Sequence, residues 1–202
     1  MLNTKVKYIT FATSNWFKFK LRLTDEFAAT GRALNIFNEC DIDDPYFQNF
    51  ILKQKRVNRG FHNYIWKPYL IWQELMKLDK DIHVLVYTDS GNDFGKMGAL
   101  LEEVVDKKLD EFRAGDFQIM CFDSANCPIN CITTTEFKRK YRCRPNFLDV
   151  FPHYQTGLVA VKNNDFCRQF AAEWKKMMVE DYPEICEAPF KRSRFLANNG
   201  GD

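Results

Sequence analysis

The stretch Ile82–Asp93, "IHVLVYTDSGND", decides the fold. Five of its first six residues are apolar, and the sequence then becomes small and acidic. A short apolar run bounded by turn residues is typical of a strand buried on both faces of a sheet. The run places Asp89 at the carboxyl end of that strand, and Ser90 and Gly91 follow it. Since these residues are small, a bulky ligand could approach closely there.

Strands and helices alternate along the rest of the chain. Four further strands are predicted at "VKYITFAT", "ALNIFNECDI", "DFQIMCFD" and "TGLVAVK". Helices are predicted within 14–32, from Pro45 behind an Asp44 cap, from Pro68, within 97–115 and from 164 or 165. This alternation predicts an α/β fold, a single Rossmann-like domain with a central, mostly parallel sheet flanked by helices.

Composition narrows the class of protein. The 202 residues are 46% hydrophobic with a net charge of +2, which suits one globular domain over 1–202 with a fraying tail at about 191–202. The basic residues form no stripe interleaved with aromatics, so nucleic acid is not an expected partner. The longest apolar runs are too short for a membrane span, and no signal-peptide pattern opens the chain. We therefore expect a cytoplasmic protein whose seven cysteines are free thiols.

The carboxylate of Asp89 has three possible uses. In open α/β sheets, ligands bind outside the carboxyl ends of the strands. Asp89 there could hold a divalent metal, accept a hydrogen bond from a ribose hydroxyl, or cap the next helix. The sequence around it leaves all three open.

A second segment, "RGFHNYIWKPYLI" (59–71), precedes this strand by one helix. Arg59 suits a bidentate phosphate contact, and Lys67 suits a point-charge contact just before a helix N-terminus. Two cations and a carboxylate at one sheet edge indicate a site for a metal-bridged diphosphate. The alternative is a surface ion-pair cluster in which Trp66 fills the core.

Together, "RGFHNYIWKPYLIWQELMKL" and "VLVYTDSG" resemble nucleotide-sugar glycosyltransferases of the GT-A fold. They are similar to small bacterial and viral enzymes that carry an Arg-Gly pair, a Tyr and then Trp-Lys-Pro in one segment, followed by Tyr-x-Asp-x-Gly. The later "HYQTGLVAVKNNDFCRQFAAEW" is similar to the Gln-x-Gly strand and following helix of that family. The Cys- and Phe-rich style also resembles glycosyltransferase domains of large algal (chlorella) viruses, which would place the protein in the host cytoplasm.

The resemblance implies a donor site for a UDP-sugar. Its catalytic residues would be Arg59, Lys67 and Asp89. The donor would contact these three and also Thr10, Phe11, Ala12, Thr13 and Ser90. The sugar or the acceptor would meet His153, Gln155 and Thr156. Phe11 could equally be a core residue, and the last three could serve only as loop hydrogen-bonding groups.

The resemblance also implies a divalent cation, Mn or Mg. Asp89 matches the first acid of the family's Asp-x-Asp motif, and Gly91 stands where many members have the second acid. The metal would therefore depend on Asp89, the diphosphate oxygens and water. The cation and the two basic residues would stabilise the negative charge that develops on the departing diphosphate.

The expected function is metal-assisted transfer of a hexose, from UDP-glucose or a related donor, to a glycan or glycoprotein. A non-catalytic nucleotide-sugar or carbohydrate-binding module of the same fold is the alternative, and the glycine at position 91 favours it. A sugar-phosphate nucleotidyltransferase would need a glycine-rich phosphate loop, a pattern that we do not find. The basic run "EFKRKYRCR" (136–144) could contact an acidic acceptor or could be a solvated face.

Overall fold

The computed structural model describes residues 5–13, 16–45, 47–49, 64–95, 98–128, 140 and 152–180, with the backbone alone for 122–128 and 152–156. Within these ranges the chain forms one five-stranded sheet with helices on both faces. The predicted α/β class is therefore confirmed.

The sheet has the strand order β2-β1-β3-β5-β4. Its strands are β1 (Lys5–Phe11), β2 (Leu34–Phe37), β3 (Ile82–Asp89), β4 (Ile119–Pro128) and β5 (Pro152–Lys162). β1 pairs in parallel with β2 and β3, whereas β5 runs antiparallel to both β3 and β4. Four of these strands thus share one direction, and β5 is reversed.

The principal helices are α1 (Phe17–Ala29), α2 (Trp66–Lys77), α3 (Lys107–Ala114) and α4 (Asp165–Glu180). A 3-10 turn covers Glu39–Asp41, and a π-helical segment, Leu101–Asp106, leads into α3. α2 begins at Trp66, two residues before the predicted start at Pro68, because the backbone N–H of Lys67 already bonds to the carbonyl of Tyr64. The predicted Asp44 cap is present, since its carboxylate accepts the N–H of Phe47 at 3.2 Å.

The two faces of the sheet bury alternate side chains of each strand, as the period of two requires. Leu85, Tyr87 and Val159 face α2 and α4, whereas Val84, Val86 and Leu158 face α1 and α3. β3 lies at the middle of the sheet and is covered on both faces. This position explains why its sequence is a nearly continuous apolar run.

Phe27 anchors α1 to the sheet and is 1% exposed. Its ring packs edge-on against Tyr8 at 5.2 Å and Phe94 at 5.8 Å between centroids. Phe27→Ala should lower the free energy of unfolding by about 3–5 kcal/mol in urea titrations, because it leaves a cavity. The matched control is Phe166→Ala in α4, where the side chain is 60% exposed. It should stay within about 0.5 kcal/mol of the parent, and equal losses in both variants would contradict this account of the core.

None of the described helices is long and apolar enough to cross a membrane.

Candidate functional site

The ends of β1 and β3 define the candidate site. Phe11 and Asp89 are the last residues of these parallel strands and lie opposite each other in register. The chain leaves β1 towards β2 on one side and returns to β3 on the other. The two strand ends therefore flank the point where the strand order reverses, and open α/β sheets bind ligands in the crevice at such a point.

A cleft of about 130 Å³ opens at this point. Nine residues line it: Phe11, Ala12, Thr13, Trp16, Tyr64, Trp66, Asp89, Ser90 and Gly91. Four of them are aromatic, and one is a carboxylate. Planar apolar walls with a single fixed acceptor suit a flat ring that carries a hydroxyl-bearing group.

The aromatic wall is built on the face of the sheet that carries α2. The rings of Phe11 and Trp66 stack at 3.9 Å between centroids with an interplanar angle of 20°, and both side chains are buried. Tyr64 precedes α2 with φ +62, a conformation that is uncommon for a bulky residue. Trp16, at the start of α1, is 44% exposed and borders the cleft from the other side.

The carboxylate of Asp89 is held by two buried donors. The ammonium of Lys67 lies 2.9 Å from Oδ1 and 3.2 Å from Oδ2. The hydroxyl of Tyr87 donates to Oδ1 at 2.5 Å. Since Asp89 itself is 30% exposed, its free edge faces the cleft while its anchored edge faces the core.

Lys67 is unusual because its charge is almost fully buried. Its side chain is 4% exposed, and the ammonium lies 5.0 Å from the ring centroids of both Tyr64 and Tyr87. Burial lowers the pKa of Lys67, and the neighbouring carboxylate of Asp89 partly offsets that shift. Burial, reinforced by the same carboxylate, raises the pKa of Tyr87 well above its ordinary value. Tyr87 therefore stays a neutral hydrogen-bond donor to Asp89.

The turn after β3 is tied to β5 through Asn92. Its backbone N–H bonds to the carbonyl of Asp89 at 3.0 Å. Its side-chain amide donates to Thr88 Oγ1 at 2.9 Å and to the carbonyl of Gly157 at 2.7 Å. A Cβ added at Gly157 would lie at ordinary contact distance, 3.5 Å, from Asp89 Oδ2, so β5 runs directly beside the carboxylate.

Helix α1 supports the same turn from outside. The guanidinium of Arg22 donates to the carbonyls of Gly91 and Asn92 and pairs with Asp93 at 3.3 Å. Glu26 is buried and accepts the N–H of Phe94 at 3.2 Å. Burial raises the pKa of Glu26, although the Phe94 N–H and Arg22 favour its charged form. These contacts fix the backbone that carries Ser90 and Gly91.

The structure brings most of the predicted donor residues to the cleft. Phe11, Ala12, Thr13, Asp89 and Ser90 line it. Thr10 does not, because strand alternation turns its fully buried side chain to the α1 face, on the side opposite to Phe11.

Lys67 contacts Asp89 from below the cleft and is not among the lining residues. Arg59 lies outside the described residues, as does the basic run 136–144 apart from Lys140. His153, Gln155 and Thr156 lie in β5, and their side chains are likewise outside what the structure describes.

Sequence reasoning did not assign Trp16, Tyr64 or Tyr87 to the lining or its support, whereas it did place Gly91 beside the strand end as a small residue that lets a ligand approach. Tyr87 carried a usable signal: it stands two residues before Asp89 in a strand, so both side chains point to the same face. Trp16 and Tyr64 carried none, since each reaches the cleft through a turn whose path depends on tertiary packing.

The described residues do not by themselves form a metal centre. No group of three or more His, Cys, Asp or Glu side chains is placed to hold an ion within the described ranges. A carboxylate has about four lone-pair positions, and on Asp89 the ammonium of Lys67 already lies against both oxygens while Tyr87 donates to Oδ1. A divalent ion on Asp89 would have to share the carboxylate with the buried ammonium of Lys67, whose positive charge repels it.

No protein-family model matches this chain, and no curated protein matches it. Solved structures are similar to it, among them the following two. One is a glycosyltransferase involved in the glycosylation of the major capsid of PBCV-1, with 10% identity, coverage of 96% of this chain and 75% of the other, and a TM-score of 0.46. The second is the 4-diphosphocytidyl-2C-methyl-D-erythritol synthase of Anaerococcus prevotii DSM 20548, with 11% identity, coverage of 92% and 85%, and a TM-score of 0.44. Similarity at this level shows neither a shared family nor a shared activity.

Proposed function

We propose that the protein is a glycosyltransferase that moves a hexose from a UDP-sugar, UDP-glucose or a related donor, to a glycan or glycoprotein. One observation carries the proposal. At the point where the strand order reverses, an aromatic cleft ends in a carboxylate, Asp89, which two buried donors hold in place. This combination suits a nucleoside, whose base needs flat apolar walls and whose ribose needs a hydrogen-bond acceptor.

The base would lie between Trp16 and the Tyr64–Trp66 wall, and a ribose hydroxyl would donate to the free edge of Asp89. The diphosphate and the sugar would then extend from the ribose. In the transfer, the bond between the anomeric carbon and the diphosphate oxygen breaks, and its electron pair leaves with the UDP. An acceptor hydroxyl forms the new bond to the anomeric carbon and gives up its proton to a base.

The charge of the departing diphosphate requires positive groups. Arg59 remains the proposed phosphate contact on the sequence alone. Lys67 acts through Asp89, because its ammonium is buried beneath the carboxylate rather than open to the cleft. A divalent ion, Mn or Mg, would supply charge neutralisation through the diphosphate oxygens. The described donors do not fit an ion at Asp89 itself.

The sugar and acceptor would lie towards the start of β5. Gly157 passes beside Asp89 and accepts a hydrogen bond from Asn92, so the strand residues just before it begin at the cleft. On this placement, His153, Gln155 and Thr156 stay the proposed contacts to sugar or acceptor.

A non-catalytic nucleotide-sugar or carbohydrate-binding module is the second candidate. The observation that favours it is the single carboxylate among the cleft's lining residues, with Gly91 in place of a second acid. Such a module would bind the nucleotide through the same cleft and would release no UDP.

Calorimetric titration with UDP and GDP, followed by an assay of UDP release from UDP-hexoses, tests both readings. We expect UDP to bind, UDP to bind more tightly than GDP, and at least one UDP-hexose to yield free UDP with an added glycan acceptor. Binding without release over a panel of donors and acceptors would favour the module. If neither UDP nor GDP bound, the donor-site proposal would be overturned and Asp89 would be a structural residue.

A further inference from the structure

We infer that Lys67 is the built-in counter-cation of Asp89, so that this cleft binds a uridine nucleotide without a divalent ion on the carboxylate. The inference rests on the proposed function for the identity of the nucleotide. It departs from the metal requirement that the sequence resemblance implies.

The first ground is where the positive charge already lies. The ammonium of Lys67 is within hydrogen-bonding distance of both carboxylate oxygens, at 2.9 and 3.2 Å. With its side chain 4% exposed, Lys67 cannot turn to solvent without leaving a buried carboxylate edge unpaired. If a cation took over the carboxylate, the buried ammonium of Lys67 would lose the negative charge of Asp89, which is strongly unfavourable, so an incoming cation would not displace Lys67.

The second ground is the coordination left to Asp89. Oδ1 accepts from Tyr87 and lies 2.9 Å from the ammonium of Lys67, and Oδ2 accepts from Lys67. One lone-pair direction, on Oδ2, remains open. That direction can accept one hydroxyl proton. A dipositive ion would need the same oxygen, beside a fixed positive charge. Among the described lining residues Asp89 is the only carboxylate, so no second carboxylate is there to bind the ion.

The third ground is that the neighbouring acids are already used. Asp93 pairs with Arg22 at 3.3 Å and accepts the N–H of Gly95 at 2.8 Å. Glu26 is a buried residue of α1 that pairs with Arg22 of the same helix and accepts the backbone N–H of Phe94. Neither residue lines the cleft, and Gly91 has no side chain to contribute.

The ligand class follows from these grounds. The cleft should take the uridine part of UMP or UDP through ring stacking and one hydroxyl contact. An ion bound by the diphosphate can accompany UDP, but the Asp89 contact does not need it.

Two measurements test the inference. In the first, UDP is titrated into the wild type by calorimetry in Mn²⁺ and in EDTA. We expect the two dissociation constants to differ by less than fivefold. A fivefold or greater weakening in EDTA would overturn the inference. If UDP bound neither in Mn²⁺ nor in EDTA, the proposed function would fail instead. The second measurement would then still decide the inference.

The second measurement needs no nucleotide. Mn²⁺ is titrated into the apoprotein and free Mn²⁺ is followed by electron paramagnetic resonance. We expect the wild type to bind Mn²⁺ no better than Asp89→Asn. Lys67→Met, which removes the counter-charge and keeps the volume, should gain a Mn²⁺ site of at least tenfold higher affinity than the wild type. The gain should vanish in Lys67→Met/Asp89→Asn.

Lys7→Met is the matched control, because Lys7 of β1 pairs with Glu74 of α2 at 2.7 Å and neither residue lines the cleft. Because Glu74 is only 3% exposed, the Lys7→Met variant should gain no Mn²⁺ site there. If Lys67→Met does not fold, Lys67→Gln keeps an uncharged donor to Asp89 and should show the same gain. A wild type that binds Mn²⁺ tenfold better than Asp89→Asn, or a folded Lys67 variant that shows no gain, would overturn the inference.

Discussion

Asp89→Asn is expected to raise the dissociation constant of UDP by about 10- to 150-fold, the largest effect of any shape-preserving change in the cleft. The substitution keeps the size of the side chain but removes its negative charge and one acceptor atom. A hydrogen bond to a charged group contributes about 1.5–3 kcal/mol, which corresponds to that range of affinity. Calorimetry on the purified variant measures the change directly.

The difficulty with this variant is Lys67, whose buried ammonium would lose its counter-charge. Breaking a buried ion pair costs about 3–5 kcal/mol of stability when one partner is left alone. A loss of binding in Asp89→Asn could then reflect partial unfolding. The double variant Lys67→Met/Asp89→Asn removes both charges, and we expect it to recover most of the lost stability in urea titrations without recovering UDP binding.

The two variants together separate stability from recognition. If binding returns with stability in the double variant, Asp89 serves only to neutralise Lys67, and its proposed contact with the nucleotide is wrong. If stability returns alone, the carboxylate recognises the ligand. A wild-type affinity in Asp89→Asn itself would contradict the ribose contact outright.

Much of the fold was accessible from sequence because the decisive strand is at the middle of the sheet. Residues 84–88 of that strand are buried on both faces of the sheet, and this burial is visible in the sequence as a nearly continuous apolar stretch. The antiparallel direction of β5 could not be predicted from the sequence. The segment "TGLVAVK" is equally apolar read in either direction, and its direction depends on the connection that precedes it.

Part of the candidate site could be predicted from the sequence for a related reason. A carboxylate at the end of a buried strand is a local feature, and Asp89 lines the cleft as expected. Thr10 and Phe11 could not both line it, because neighbouring strand residues point to opposite faces. The burial of Lys67 beneath Asp89 could not be predicted, because it depends on a tertiary contact between residues 22 positions apart. In the sequence, a lysine just before a predicted helix suggests an exposed charge.

Gly91→Phe is expected to weaken UDP binding on the order of 100-fold, about 2.7 kcal/mol, while leaving the fold intact. Gly91 is exposed in the turn after β3, and its φ is not in the left-handed region, so a side chain fits there without backbone strain. A Cβ added at this position would meet only the Trp16 ring, at 4.0 Å. A phenyl group built from it would stack on Trp16 and occupy the space assigned to the base.

Gly91→Ala is the matched control, because a methyl group reaches Trp16 at ordinary contact distance and leaves the cleft open. We expect its UDP affinity to stay within about threefold of the wild type, and both variants to unfold within about 1 kcal/mol of it. Wild-type affinity in a folded Gly91→Phe would place the nucleotide elsewhere on the molecule. A 100-fold loss restricted to Gly91→Phe would instead locate the base between Trp16 and the Tyr64–Trp66 wall, since that is the volume the phenyl group fills.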